Sequence, residues 1–236
     1  MRDALPEMPG GEPTAPGGGP TASGGAPRVP GGEPTASGGE PADKRTVRGR
    51  LLAARRGFAP AEVERAAAAL ARHALDLPEL AGAATVAAYV SVGGEPGTRA
   101  LLDALRARGI RVLLPVLLPD NDLDWGEYRG PGSLAPAGRG LLEPTGPRLG
   151  PEAVLDADAM LVPGLAVDGR GVRLGRGGGS YDRVLARLER AGRSPALVVL
   201  LYGHEVVDRV PAEPHDRPVR AAVTPEGVRR FPVPEK

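Results

Sequence analysis

The chain has no cysteine, so disulfide scaffolds, thiol nucleophiles, zinc knuckles and iron–sulfur sites are all excluded. The presence of just three histidines argues against a multi-histidine metal centre. No apolar run reaches the ~20 residues needed to span a bilayer, and Met1 is followed by Arg2, Asp3 and prolines instead of an apolar signal core. Charge of one sign is also missing: 30 basic against 29 acidic residues give a net charge of +1, which argues against nucleic acid or an acidic membrane as a partner. The expectation is a soluble cytoplasmic protein. Lysine is scarce too, since all basic residues except Lys44 and Lys236 are arginines. With Ala, Gly and Pro abundant, that bias reads as coding composition, so a single arginine carries little information.

What is present divides in two. About half of residues 1–42 are Gly or Pro and none is aromatic, a composition that cannot bury enough apolar area to offset chain entropy. This part is expected to be a disordered tail. It repeats Gly-Gly-Glu-Pro at 10–13, 31–34 and 38–41, read as a neutral low-complexity extension more than a docking linker.

Residues 43–236 have globular patterning, and their length suits one α/β domain. Asp43 is placed to cap a helix running to about Arg56, and Pro60 to open a second reaching Leu75. Ala83–Val92 is an apolar run without alternation, the pattern of a strand covered on both faces. A loop at Gly93–Gly97, a helix over Thr98–Arg108 closed by Gly109, and a strand over Ile110–Leu114 follow. Leu123–Arg129 alternates like an edge or antiparallel strand, and the Gly/Pro-rich stretch to Pro151 reads as loop. Ala159–Val162, Ala196–Tyr202 and Ala221–Thr224 are further buried strands, and Ser180–Arg190 is a helix. Successive β–α–β steps predict a three-layer α/β/α domain with a mostly parallel, Rossmann-like sheet.

The chemistry concentrates in Asp168–Arg183. Glycines 175, 177, 178 and 179 permit positive φ and close backbone approach, and they run straight into a helix whose first N–H groups lack intrahelical acceptors. That combination makes an anion cradle, to which the helix dipole, Arg173 and Arg176 add positive charge. The spacing is neither that of a Walker loop nor that of a dinucleotide fingerprint. Asp182, in the first helical turn, is either a carboxylate favoured by the helix N-terminus or a magnesium ligand beside bound phosphates. A second carboxylate for such a site is available in Glu213-Pro214-His215-Asp216, a loop held extended by Pro211, Pro214 and Pro218.

These residues resemble the 5-formyltetrahydrofolate cyclo-ligase family, also called 5,10-methenyltetrahydrofolate synthetases. The resemblance is carried by Pro163–Asp168 followed by Arg173–Arg183, and it is extended in order by Lys44-Arg45-Thr46-Val47-Arg48, Glu95-Pro96-Gly97-Thr98, Leu142-Glu143-Pro144 and Glu213–Asp216. It spans Lys44 to about Arg230. Ser180 departs from the tyrosine common at that position in the family.

The resemblance implies an ATP- and magnesium-dependent enzyme that cyclises 5-formyltetrahydrofolate to 5,10-methenyltetrahydrofolate, and a monomer. It implies ATP contacts from Lys44, Arg45, Thr46, Val47, Arg48 and the run Arg173, Leu174, Gly175, Arg176, Gly177, Gly178, Gly179, Ser180 and Tyr181. Folate contacts fall on Val90, Glu95 and residues 176–180, metal binding on Asp182 and Asp216, and catalysis on Arg176 and Tyr181. Trp125 is read as packing, with pterin stacking as the other possibility. Rival readings are another α/β enzyme acting on phosphorylated or CoA-bound substrates, and a catalytically silent nucleotide-binding regulatory module.

Overall fold

The computed structural model describes residues 43–213 and 216–232, all within the compact unit Gly39–Lys236. The segment 1–42 and His215 lie outside the described residues. The elements are α1 (Lys44–Arg55), α2 (Pro60–Leu75), α3 (Pro78–Ala81), β1 (Thr85–Ala87), α4 (Arg99–Ala107), β2 (Arg111–Leu117), β3 (Leu123–Glu127), β4 (Leu134–Pro136), β5 (Leu142–Pro144), β6 (Ala159–Val162), β7 (Ala166–Val167), β8 (Arg173–Leu174), α5 (Ser180–Arg190), β9 (Ala196–Leu200), β10 (Ala221–Thr224) and β11 (Gly227–Arg230).

Seven strands form one sheet in the order β11-β10-β9-β6-β1-β2-β3. The five central strands are parallel, and β3 and β11 close the edges antiparallel. Alternate residues of the buried strands feed two cores, as the two-residue side-chain period requires. Val86, Leu114, Leu161, Val198 and Leu200 pack with Leu70, Ala74, Leu101, Leu102 and Leu105 of α2 and α4. Ala87, Leu113, Met160, Val162 and Val199 pack with Val184, Leu185 and Leu188 of α5. The three-layer α/β/α expectation is thus met. The chain builds outward from β1 in one direction through α4 to β2 and in the other through β6, β9 and β10. That reversal opens a crevice beyond the carboxyl ends of β1 and β6, where ligands of open α/β sheets bind.

Three expectations need correction. The strand expected over Ala83–Val92 pairs only through Thr85–Ala87. Beyond it, side chains take the backbone amides: Ser91 N–H donates to Thr98 Oγ1 (2.9 Å), Val92 N–H to Glu95 Oε2 (3.0 Å) and Thr98 N–H to Ser91 Oγ (3.1 Å). The stretch to Pro151, expected to be loop, contains the β4–β5 hairpin, packed so closely over β3 that a Cβ at Gly126 would lie 2.5 Å from Pro144. The β11 edge strand was not anticipated, because Gly-Val-Arg-Arg is mostly exposed and has no apolar alternation.

Helix α1 lies outside the two main cores and makes a third with the β7–β8 hairpin, burying Val47 and Leu51 against Leu165, Ala166, Val172 and Leu174. The same face, one turn further on, buries Arg55 at 4 % exposure. Its Nε donates to Glu205 Oε1 (2.6 Å), and its Nη2 donates to Glu205 Oε2 (3.0 Å) and to the Gly164 carbonyl (2.7 Å). Glu205 is fully buried and also accepts the Tyr202 N–H (3.0 Å). Replacing one member of such a pair strands the other charge away from water. Arg55→Leu is therefore expected to lower the unfolding free energy in urea by about 3–5 kcal/mol, with the double variant Arg55→Leu/Glu205→Leu recovering much of the loss.

Candidate active site

The site is built on the hairpin that follows β6. At its turn the buried Asp168 carboxylate accepts Arg170 N–H (2.9 Å), Val172 N–H (3.2 Å) and Val210 N–H (3.1 Å), and Arg170 Nη2 lies 2.7 Å away. Burial pushes this carboxyl upward, but Arg170 and the three amides outweigh it and hold the group below the usual aspartate range. The turn is thereby fixed, and β8 delivers Arg173 and the glycine loop to the crevice.

Gly177 and Gly179 have φ of +89° and +75°, so the loop needs glycine at both positions. Gly179 is the N-cap of α5, and no side chain caps the helix, so its first amides have no side-chain acceptor at the point where Gly179–Asp182 border the cleft. From α1, Arg48 Nε donates to the Gly175 carbonyl (2.9 Å), and its guanidinium lies so near Gly177 that a Cβ there would sit 3.2 Å from Cζ. Lys44, one turn earlier on the same helix, contacts Asp216 (3.4 Å) and Glu213 (3.2 Å). Asp216 also accepts the Glu213 N–H (2.7 Å).

The resulting cleft has a volume of about 410 Å³. One wall is the loop Gly175–Gly179 with Ser180, Tyr181 and Asp182, and the other is apolar, made by Pro115, Leu117, Leu123, Leu141 and Leu142. Tyr89, Val90, Val92 and Glu95, from the segment after β1, complete it together with Pro163. Glu95 is 7 % exposed, yet it lines the cleft and accepts Arg176 Nη1 on Oε1 (3.1 Å). Arg173 donates to the Pro163 carbonyl (2.8 Å) and lies 3.7 Å from Asp182. Burial lowers the pKa of Arg173, opposed by the charges of Asp182 and Asp216 among others.

The sequence-nominated residues fall into distinct places. Val90, Glu95, Arg173 and the run Gly175–Asp182 border the cleft. Arg48 backs the glycine loop, and Lys44 joins it to Asp216. Arg45 and Thr46 are exposed on α1, whereas Val47 and Leu174 are buried in the third core. Trp125 is packing: it is fully buried with Leu113, Met160 and Leu188. Sequence reasoning missed the apolar wall and Arg139 on its rim, because Leu and Arg are too common to signal a site. No cluster of three or more His, Asp or Glu that could hold a metal occurs among the described residues. Asp182, 3.7 Å from Arg173, and Asp216, 3.4 Å from Lys44, are carboxylates with hard oxygen donors. Such a donor set fits magnesium, which keeps several waters and takes one or two carboxylates beside phosphate oxygens.

The Tyr181 hydroxyl is buried without a hydrogen-bond partner. Burial pushes its pKa well up, the Glu95 charge adds to this, and Arg173 opposes it. Tyr89, Tyr128 and Tyr202 are also raised, chiefly by burial. These are all four tyrosines of the chain. Because the unfolded chain loses tyrosyl protons near pH 10 and the folded chain holds them longer, stability should be insensitive to these groups below about pH 10 and fall above it. Ultraviolet titration is expected to show no tyrosinate near pH 10 in the native protein, with the signal arriving on alkaline unfolding. Tyr181→Phe should keep the melting temperature, since it removes no internal hydrogen bond.

Residues 40–225 match the model of the 5-formyltetrahydrofolate cyclo-ligase family. The chain is 48% identical over 147 residues to the 5-formyltetrahydrofolate cyclo-ligase of Mycolicibacterium smegmatis, covering 60% of this chain and 74% of that protein. It is 33% identical over 181 residues to the Escherichia coli K12 enzyme of the same name, covering 74% and 96%. The solution structure of Aquifex aeolicus 5,10-methenyltetrahydrofolate synthetase superposes with a TM-score of 0.69 at 29% identity, covering 82% of this chain and 95% of that one. A Mycoplasma pneumoniae synthetase shares the fold at 20% identity and a TM-score of 0.60. The glycine loop, the cleft and these likenesses converge on one assignment: this chain belongs to the 5-formyltetrahydrofolate cyclo-ligase family of enzymes.

Proposed function

We propose that this chain uses ATP and magnesium to convert 5-formyltetrahydrofolate to 5,10-methenyltetrahydrofolate, ADP and phosphate. The observation that carries the reading is the make-up of the cleft. The glycine loop at a helix N-terminus, a set of apolar side chains and the Glu95 carboxylate line one cavity. The loop suits a triphosphate, the apolar side chains suit the ring faces and aryl extension of a folate, and the carboxylate suits the N–H donors at the pterin edge.

The chemistry asks for positioning and charge neutralisation more than for a nucleophilic side chain. The formyl oxygen attacks the γ-phosphorus and ADP leaves. N10 then attacks the activated formyl carbon, the carbon–oxygen bond breaks to release phosphate, and the N10 proton departs. In this reading Lys44, Arg48, Arg173 and Gly175–Tyr181 form the nucleotide side, with Arg45 and Thr46 exposed on the same helix, and Val90, Glu95 and residues 176–180 form the folate side. Val47 and Leu174, buried in the third core, hold the backbone of α1 and β8 in place instead of touching ATP. Arg176 is half exposed and joined to Glu95 by a single hydrogen bond, so it can neutralise charge on the transferred phosphoryl group. Glu95, once released, accepts pterin N–H groups. The Tyr181 hydroxyl stays protonated at neutral pH and donates to substrate oxygen. Magnesium, held by Asp182 and Asp216 with phosphate oxygens, would supply the remaining charge neutralisation.

The domain reading is part of the proposal: residues 43–236 are the catalytic domain and residues 1–42 an appendage, in keeping with a family match that begins at residue 40. Removing 1–42 should leave turnover and melting temperature unchanged. The direct test is the absorbance of methenyltetrahydrofolate formed from 5-formyltetrahydrofolate, ATP and magnesium, and no product despite tight ATP binding would overturn the reading. Asp182→Asn is expected to lower magnesium-dependent turnover by about tenfold or more while sparing folate affinity. Activity equal to the unmodified protein would remove Asp182 from the metal site.

A further inference from the structure

We propose that Arg139 is a specificity-determining residue that holds a carboxylate of the glutamate moiety of the folate at the cleft rim. The inference rests on the folate-binding reading above and extends it to a part of the substrate for which no residue has yet been named.

Three arginines border the cleft: Arg139, Arg173 and Arg176. Two of them face acids, Arg173 with Asp182 at 3.7 Å and Arg176 with Glu95 at 3.1 Å. Arg139 has no acidic partner among the described residues. Its Nη1 donates instead to the neutral amide oxygen of Asn121 at 2.9 Å, in an exposed setting. Its charge is thus uncompensated beside the cleft, and the rest of its donor fork is available to a carboxylate.

The backbone shows that this placement is imposed. Arg139 and Asn121 are the only non-glycine residues with positive φ among those described, at +60° and +66°. Left-handed backbone is costly for arginine, and such strain gathers where a side chain must be aimed. Here the two strained residues brace one another, joining the turn between β2 and β3 to the tip of the β4–β5 hairpin.

Position selects the ligand. Arg139 stands two and three residues before Leu141 and Leu142 of the apolar wall, the side proposed for the pterin and its aryl extension, and on a different element from the glycine loop. The anion at the end of that apolar body is a glutamate carboxylate. ATP phosphates are the other source of anionic oxygen, and they already have the loop amides, Arg173 and Arg176.

The test compares 5-formyltetrahydrofolate with 5-formyltetrahydropteroate, the same molecule without its glutamate. Arg139→Gln keeps the backbone burden of a side chain with a Cβ and an amide donor, but it shortens the side chain and removes the charge. It is expected to raise KM for 5-formyltetrahydrofolate about tenfold, as for the loss of one charge-assisted hydrogen bond. KM for the pteroate analogue and for ATP should not move, and Arg139→Lys should restore part of the effect. Asn121→Gly, which relieves its own turn but removes the brace, should raise the same constant by a smaller factor. Equal changes for both folates, a change in KM for ATP instead, or no change would overturn the proposal. Calorimetric titration of both folates into the unmodified protein separates the two readings, because it needs no turnover. Tighter binding of the glutamate-bearing compound supports the Arg139 assignment even if no product forms, a result that would sink only the cyclo-ligase chemistry; equal binding overturns the assignment.

Discussion

The buried ion pair between Arg55 and Glu205 is the constraint on which the cleft depends. It joins the end of α1 to the turn after β9 and, through the Gly164 carbonyl, to the segment after β6. Arg55 also lies against the loop after β1, where a Cβ at Gly94 would meet its own Cβ at 3.2 Å. The Tyr202 ring stacks on Phe58 at 4.5 Å and lies 5.9 Å from the Arg55 guanidinium, closing the node from outside. The arrangement has a cost, since Arg55 Nη1 is buried with no partner. Hydrophobic packing could have joined these segments more cheaply, but it is non-directional. A bidentate pair with a third bond to a carbonyl fixes orientation, and α1 must be oriented for Lys44 and Arg48 to reach their partners.

Electrostatically the cleft is poised. Arg173 faces Asp182, Arg176 faces Glu95, and Lys44 faces Asp216 and Glu213. Three cations at the site are thus held by carboxylates, whereas Arg48 is held by the Gly175 carbonyl. Such pairing limits uncompensated charge near a partly apolar cavity, where isolated ions are expensive. Arg139 breaks the pattern, being braced by an amide instead of an acid.

Much of the architecture could be read from residues near one another in the chain. Ala159–Val162 and Ala221–Val223 are short apolar runs, and they form the strands β6 and, with Thr224, β10. The glycine loop is legible because glycines directly before a helix permit backbone conformations closed to other residues, and its crevice placement follows from the five residues, 175–179, that join β8 to α5. The segment after Ala87 was misread as strand because its Val-Ser-Val composition favours pairing, whereas Ser91, Glu95 and Thr98 compete for the same amides. The β4–β5 hairpin was hidden by its prolines and glycines, which locally signal loop and are overridden by packing over β3.

By itself the sequence determined the parallel sheet with helices on both faces, the anion cradle and the residues that could surround it, because each depends on short-range periodicity or on the conformational freedom of neighbouring residues. Only the tertiary structure decided which charges meet. Lys44 reaches Asp216 across 172 positions and Arg55 reaches Glu205 across 150, distances over which no local preference acts. Those encounters follow from the sum of many weak apolar contacts placing α1 against the β7–β8 hairpin, and a sum over the whole fold leaves no signature in any one stretch of residues.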